Sequence, residues 1–188
     1  MENTKVVGLE KNLLLGRGSN SFSHSLLVAL CREGYDIQVI DCAIRFKAYS
    51  VAEATKGFET FVLHQIQIQR AFTPYQLLDF MNTLLDSEEP EALKARLFIF
   101  LAPSKQFFDG DVKKDERITL LDRLVEKFVR LKENGFRFLI SESIQKSDPI
   151  YQSYLQKLSK SIGTVVKEIS AMEVPKDGTN SYTLFTRD

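Results

Sequence analysis

Five consecutive apolar residues, Leu97-Phe98-Ile99-Phe100-Leu101, leave this chain little choice of architecture. Successive side chains of a strand point to opposite faces, so an uninterrupted apolar run of strand length needs cover on both sides. That is the position of a central strand in a parallel sheet with helices above and below it. The remaining segments fit such a frame. Leu13 to Leu15 is a short buried strand, and Phe22 to Arg32 carries Phe22, Leu26, Leu27, Ala29 and Leu30 at helical spacing before Gly34 offers a left-handed stop. Tyr35 to Ile40 is a strand ending at Asp41, and Ser50-Val-Ala-Glu53 has the spacing of a capping box for a short helix closed near Gly57.

The alternation continues. Ile66 to Ala71 alternates apolar and polar residues as a half-covered strand does, and Thr73-Pro-Tyr-Gln76 has capping-box spacing ahead of a helix from Pro74 to Leu85. Ala102 to Arg117, rich in Lys and Asp, reads as a mobile surface excursion. It leads to an amphipathic helix from Ile118 to Lys132, a strand from Phe136 to Ile140 and a helix from Pro149 to Ser161. Thr164 to Ser170 and Ser181 to Thr186 are strand-like, and Pro175 with Asp177-Gly178 between them points to an antiparallel hairpin. The expected fold is α/β, a three-layer α/β/α sandwich on a mostly parallel sheet. One domain takes all 188 residues, with residues 1–11 as an N-terminal extension and 164–187 as the C-terminal hairpin.

Charge narrows the partners. Lys and Arg together number 25, as do Asp and Glu, so no global positive field marks a dedicated nucleic-acid binder, although a local basic patch stays open. Lys113, Lys114 and Arg117, the pair Lys157 and Lys160, and the acidic Glu88-Glu-Pro-Glu91 are expected to be solvated faces and a polar connection. No stretch is apolar for long enough to span a bilayer, and the first residues lack a signal-peptide layout, so the expectation is a cytoplasmic protein without a membrane partner. Cys31 and Cys42 lack CxxC or Cys/His clustering and are read as two reduced thiols. His24 and His64 have no ligand spacing, so no metal site is assigned; both are expected to be surface or half-buried polar residues.

Function turns on residues 12–26, NLLLGRGSNSFSHSL. The loop after the first strand opens at the carboxyl end of the sheet, where ligands of such folds bind. Against the phosphate-loop spacing GxxxxGK[ST], Gly16 and Ser23 match, Ser21 stands at the second glycine and Phe22 at the lysine. Two readings stay open. The N–H groups of Gly16, Arg17, Gly18, Ser19, Asn20, Ser21 and the Ser23 hydroxyl, helped by Arg17 or Arg45, would hold an anion such as phosphate or a nucleotide weakly. Alternatively Ser19, Asn20 or Ser21 caps the helix, worth about 1 kcal/mol and needing no ligand. Asp41 with Arg45 would orient a ligand or stabilise its own loop. Arg70, Thr73 and Gln76 would line the same crevice, or Gln76 completes a capping box with Thr73. Ser23-His24-Ser25 is not a catalytic pair, since neighbours on a helix point about 100° apart and GxSxG is missing.

Val39-Ile-Asp-Cys-Ala-Ile-Arg-Phe46, Gln67-Ile-Gln-Arg-Ala-Phe-Thr73 with Gln76, and the terminal hairpin carry a resemblance. Across most of its length the chain resembles the RecA-like recombinase ATPases, and more loosely the KaiC-like proteins, among the P-loop NTPases. The resemblance implies a RecA-like sheet, and it also shows what is missing. The glutamate that activates water in that family corresponds to Ala43, and the magnesium-directing aspartate falls at Leu101 or Ala102. With Phe22 at the lysine position, the charge neutralisation and oriented water that phosphoryl transfer requires are absent. The resemblance therefore implies a catalytically inactive core acting as a binding, accessory or regulatory module in DNA repair or recombination. A protein partner or self-association is expected. The alternative is an unorthodox nucleotide-binding protein or ATPase in which Arg17, Arg45 or a partner's residue replaces the lysine.

Overall fold

The computed structural model describes residues 13–16, 18–57, 61–142, 148–162 and 167–168. The strands β1 (Leu13–Leu15), β2 (Ile37–Asp41), β3 (Ile66–Arg70), β4 (Leu97–Leu101), β5 (Arg137–Glu142) and β6 (Lys167–Glu168) form one sheet in the order β3-β2-β4-β5-β1-β6. Every neighbouring pair is parallel, including β1 with β6. All five β4 residues are buried, as their composition demands.

The two faces of the sheet bury different side chains. On one, Leu26, Leu27 and Leu30 of helix α1 (Ser19–Arg32) and Val51 of α2 (Ala48–Ala54) pack on Leu14, Val39, Ile99 and Leu139. The other is covered by α4 (Pro74–Leu85), α6 (Lys114–Glu133) and α7 (Pro149–Ile162). There the aromatics gather: Phe100 meets Phe128 edge-on at 5.0 Å and 86°, and Phe128 lies 5.6 Å from Phe138. The short helices α3 (Phe61–His64) and α5 (Pro90–Lys94) precede β3 and β4. These layers make the three-layer α/β/α sandwich.

Several expectations need correction. Ser50 does not cap a helix, because α2 starts at Ala48 and has Lys47 as its N-cap; the Lys47 N–H donates to His24 Nε2 at 2.9 Å, so a contact from α1 fixes the helix start. Residues 102–117 are no mobile excursion. Ser104, Gln106 and Phe107 are buried, Lys105–Phe108 forms a 3-10 turn, and Arg117 donates through Nε to the Phe107 carbonyl at 2.6 Å. The Arg117 guanidinium, expected in a solvated cluster, instead lies 5.0 Å over the Phe108 ring, and α6 begins four residues earlier than its apolar stripe indicated. Strand β3 is not half-covered: only Ile66 is part-buried, because the helix that follows packs inward over Ile40, Phe98 and Phe100. The expected hairpin over 164–187 and the extension over 1–11 lie outside the described residues apart from Lys167–Glu168, which pair in parallel with β1.

The Phe100, Phe128 and Phe138 contact joins sheet and helix through three aromatic rings. Phe128→Ala is expected to cost about 3–5 kcal/mol in chemical denaturation, whereas Ala at the exposed Ile118 of the same helix should cost under about 0.5 kcal/mol.

Candidate functional site

The carboxyl ends of β1, β2, β4 and β5 converge on the loop after Leu15. Gly16 takes φ +92°, a left-handed conformation, and its carbonyl accepts from Ser19 N–H at 3.1 Å, closing a tight turn into α1. Arg17 lies outside the described residues. Gly18 is the N-cap of α1, and no side chain caps the helix, so the expected capping role of Ser19, Asn20 or Ser21 is overturned. These side chains turn elsewhere because the loop is enclosed by neighbouring strands and loops. The Ser19 hydroxyl accepts from Ser141 Oγ of β5 at 3.1 Å, and Asn20 Nδ2 donates to the Arg45 carbonyl at 3.2 Å. Ser21 is half-buried in the first turn. Ser23 Oγ donates to the Ser19 carbonyl at 2.8 Å, and Phe22 packs against the Leu26–Leu30 core cluster.

Asp41, 1% exposed, is taken up by its own loop. Its Oδ1 accepts from Arg45 N–H at 2.7 Å and Ala43 N–H at 3.4 Å, and its Oδ2 from Phe46 N–H at 3.2 Å. Arg70 Nε reaches Oδ2 only at 3.8 Å, with the guanidinium half in water. Thr73 Oγ1 accepts from Gln76 N–H at 3.2 Å and Gln76 Oε1 from Phe72 N–H at 2.7 Å, so Thr73 and Gln76 serve the start of α4. The structure thus brings the glycine loop together with Asp41 and the Arg45 backbone, adds Arg70 at the margin, and leaves Thr73 and Gln76 to a helix cap.

His24 is buried, not a surface residue. Its Nδ1 lies 2.6 Å from the Asn20 carbonyl and its Nε2 accepts from Lys47 N–H, which requires a neutral ring protonated on Nδ1. Burial, foremost, lowers its pKa.

Glu142 is the residue that periodicity missed. It ends β5 at 1% exposure, with Oε1 accepting from Ser104 N–H at 3.1 Å and Tyr154 Oη–H at 3.0 Å, and Oε2 from Ser104 Oγ at 2.9 Å. Desolvation dominates over these donors and pushes its pKa up to about 7. Burial likewise raises the Tyr154 hydroxyl and the Cys42 thiol well above their usual ranges, with the Glu142 charge adding to each. Cys31 is also a free, buried thiol, pushed up to about 12 by burial. The available signal was an acidic residue two positions after the apolar run Phe138 to Ile140 and separated from it only by Ser141.

Among the described residues no group of three or more His, Cys, Asp or Glu is placed to hold a metal ion, and no helix is long and apolar enough to cross a membrane. No family model and no curated protein matches the chain. Chemically, the serine hydroxyls and carboxylates at this end of the sheet are engaged in hydrogen bonds within the fold, while Gln106 Oε1 is buried without a partner.

Because the native state holds the Glu142 proton more tightly than the unfolded chain, its contribution to stability is full at acid pH and is lost as pH rises from about 4.5 through about 7. Wild type is expected to lose on the order of 3 kcal/mol relative to Glu142→Gln between pH 4.5 and pH 8. Urea denaturation of both proteins across that range checks it.

Proposed function

We propose that the chain is a cytoplasmic RecA-like core without ATPase chemistry that works as a binding, accessory or regulatory module, its resemblance pointing to DNA repair or recombination. The observation that carries the reading is the use made of the phosphate-loop posts. Where a lysine would meet the terminal phosphates, Phe22 packs on the core. The Ser23 hydroxyl, which would coordinate magnesium, is hydrogen-bonded to Ser19 of its own helix. Leu101 and Ala102, at the metal-directing position, are both buried and apolar.

Phosphoryl transfer is catalysed by positioning and by neutralising charge on the transferring group. Ala43 offers no base for water, and Asp41, the nearest carboxylate of that loop, already accepts three backbone N–H groups. Glu142 has the raised pKa typical of catalytic acids, but both oxygens are held by Ser104 and Tyr154, so it clamps α7 and the segment after β4 to the sheet.

Phosphate release from magnesium-ATP, followed for wild type and Ser23→Ala, is expected to match the protein-free blank in both. Turnover in wild type that disappears in Ser23→Ala would overturn the proposal.

A further inference from the structure

All the exposed large apolar side chains of the described residues, except Ile118, fall between residues 44 and 75. Ile44, Tyr49 and Phe72 are 69%, 78% and 61% exposed. They belong to the two connections that leave β2 and β3 at the same end of the sheet. Asp41 and Arg70 are register partners, so the connections start side by side. Gln106 Nε2 ties them further, donating to the Cys42 carbonyl at 2.9 Å and to the Ala71 carbonyl.

The exposure of Ile44 is imposed. Its φ is +53°, a left-handed conformation that a β-branched residue adopts only under constraint. The constraint is Asp41, whose carboxylate gathers the N–H groups of Ala43, Arg45 and Phe46 on either side of it. A strained residue that holds an apolar side chain in water points to a use for that side chain.

Among the described residues, the charges next to Ile44 and Phe72 in the chain are cationic. Arg45 and Lys47 are exposed and the Arg70 side chain is 50% exposed, whereas residues 42–52 and 65–78 contain no Asp or Glu. Of the flanking carboxylates, Asp41 is buried, Glu53 pairs with Lys56 at 2.5 Å and accepts from Tyr49, and Glu116 accepts from Tyr75, while the exposed Asp79, one turn into α4 beyond Tyr75, bounds the cationic surface on that side.

We propose that this surface docks an acidic polypeptide segment with a large apolar anchor residue. The anchor packs on Ile44 and Phe72, and its flanking carboxylates meet Arg45, Lys47 and Arg70. Ile44, the side chain that the strained backbone holds in water, is aliphatic and offers no ring face to a base, which favours a side-chain anchor over stacked nucleobases. The proposal rests on the reading of the chain as a binding module and gives it a surface and a partner chemistry; the ATP assay and the test below fail separately.

The test is selection from a random-peptide display library on the immobilised full chain, followed by fluorescence polarisation with the enriched peptides. Sequences joining Asp or Glu to Phe, Leu or Trp are expected. Their affinity should fall about tenfold in Phe72→Ser and in the double variant Arg45→Glu/Lys47→Glu, with melting temperatures unchanged because these side chains are exposed. Ile44→Gly should weaken binding while raising the melting temperature, a combination that a merely structural role would not give. The proposal is overturned if no peptide is enriched over the Phe72→Ser protein, if the enriched peptides lack carboxylates, or if their binding ignores the variants. Oligo(dT) binding lost in Phe72→Ser would assign the surface to single-stranded nucleic acid, and a sedimenting dimer lost in that variant would assign it to a second copy; either result also overturns it.

Discussion

The constraint on which the rest depends is a central strand that stays apolar to its last residue. Strand β4 is buried on both faces through Leu101, and the burial continues into Ala102, so the middle of the sheet presents no polar side chain at its carboxyl end. The acids on either side, Asp41 and Glu142, are therefore also withdrawn from water. A buried carboxylate needs donors, since removing it from water without them costs several kcal/mol. The adjoining loops supply these donors, and their shapes follow from doing so. Residues 43–46 close around Asp41, and the segment after β4 folds inward so that Ser104 reaches Glu142. Both arrangements include a non-glycine residue at positive φ, Ile44 at +53° and Ala102 at +50°.

Satisfied polar groups have little left for a ligand. The Ser19 to Ser141 contact ties the first turn of α1 to β5, and the Ser23 hydroxyl is bound to the helix that carries it. Groups that could have met a phosphate thus hold strands and helices together. The surface that remains available lies to one side, on the connections after β2 and β3, where apolar and cationic side chains face water.

The elements governed by local pattern were legible in the sequence. The Leu97–Leu101 run located the centre of the sheet, and Thr73 with Gln76 marked the start of α4 because a capping pair needs only residues three apart. What was not legible depends on partners distant in sequence. His24 is buried because it accepts the Lys47 N–H, 23 residues away, and that same bond moves the start of α2 off Ser50. The segment after Ala102 looked like a charged loop because its lysines and aspartates dominate its composition. Its fold is set by Ser104 binding Glu142, 38 residues on, and by Gln106 reaching the Cys42 carbonyl, 64 residues back. Glu142 itself carried a faint signal, an ionisable residue in line with an apolar strand, which periodicity alone cannot distinguish from a strand ending.

The central claim is that the serine hydroxyls and carboxylates at the carboxyl end of the sheet are already spent on hydrogen bonds within the fold. Calorimetric titration of the full chain with magnesium-ATP tests it most directly. The account expects no saturable heat beyond dilution, and one-to-one binding that is lost when Ser23 is changed to Ala would contradict it.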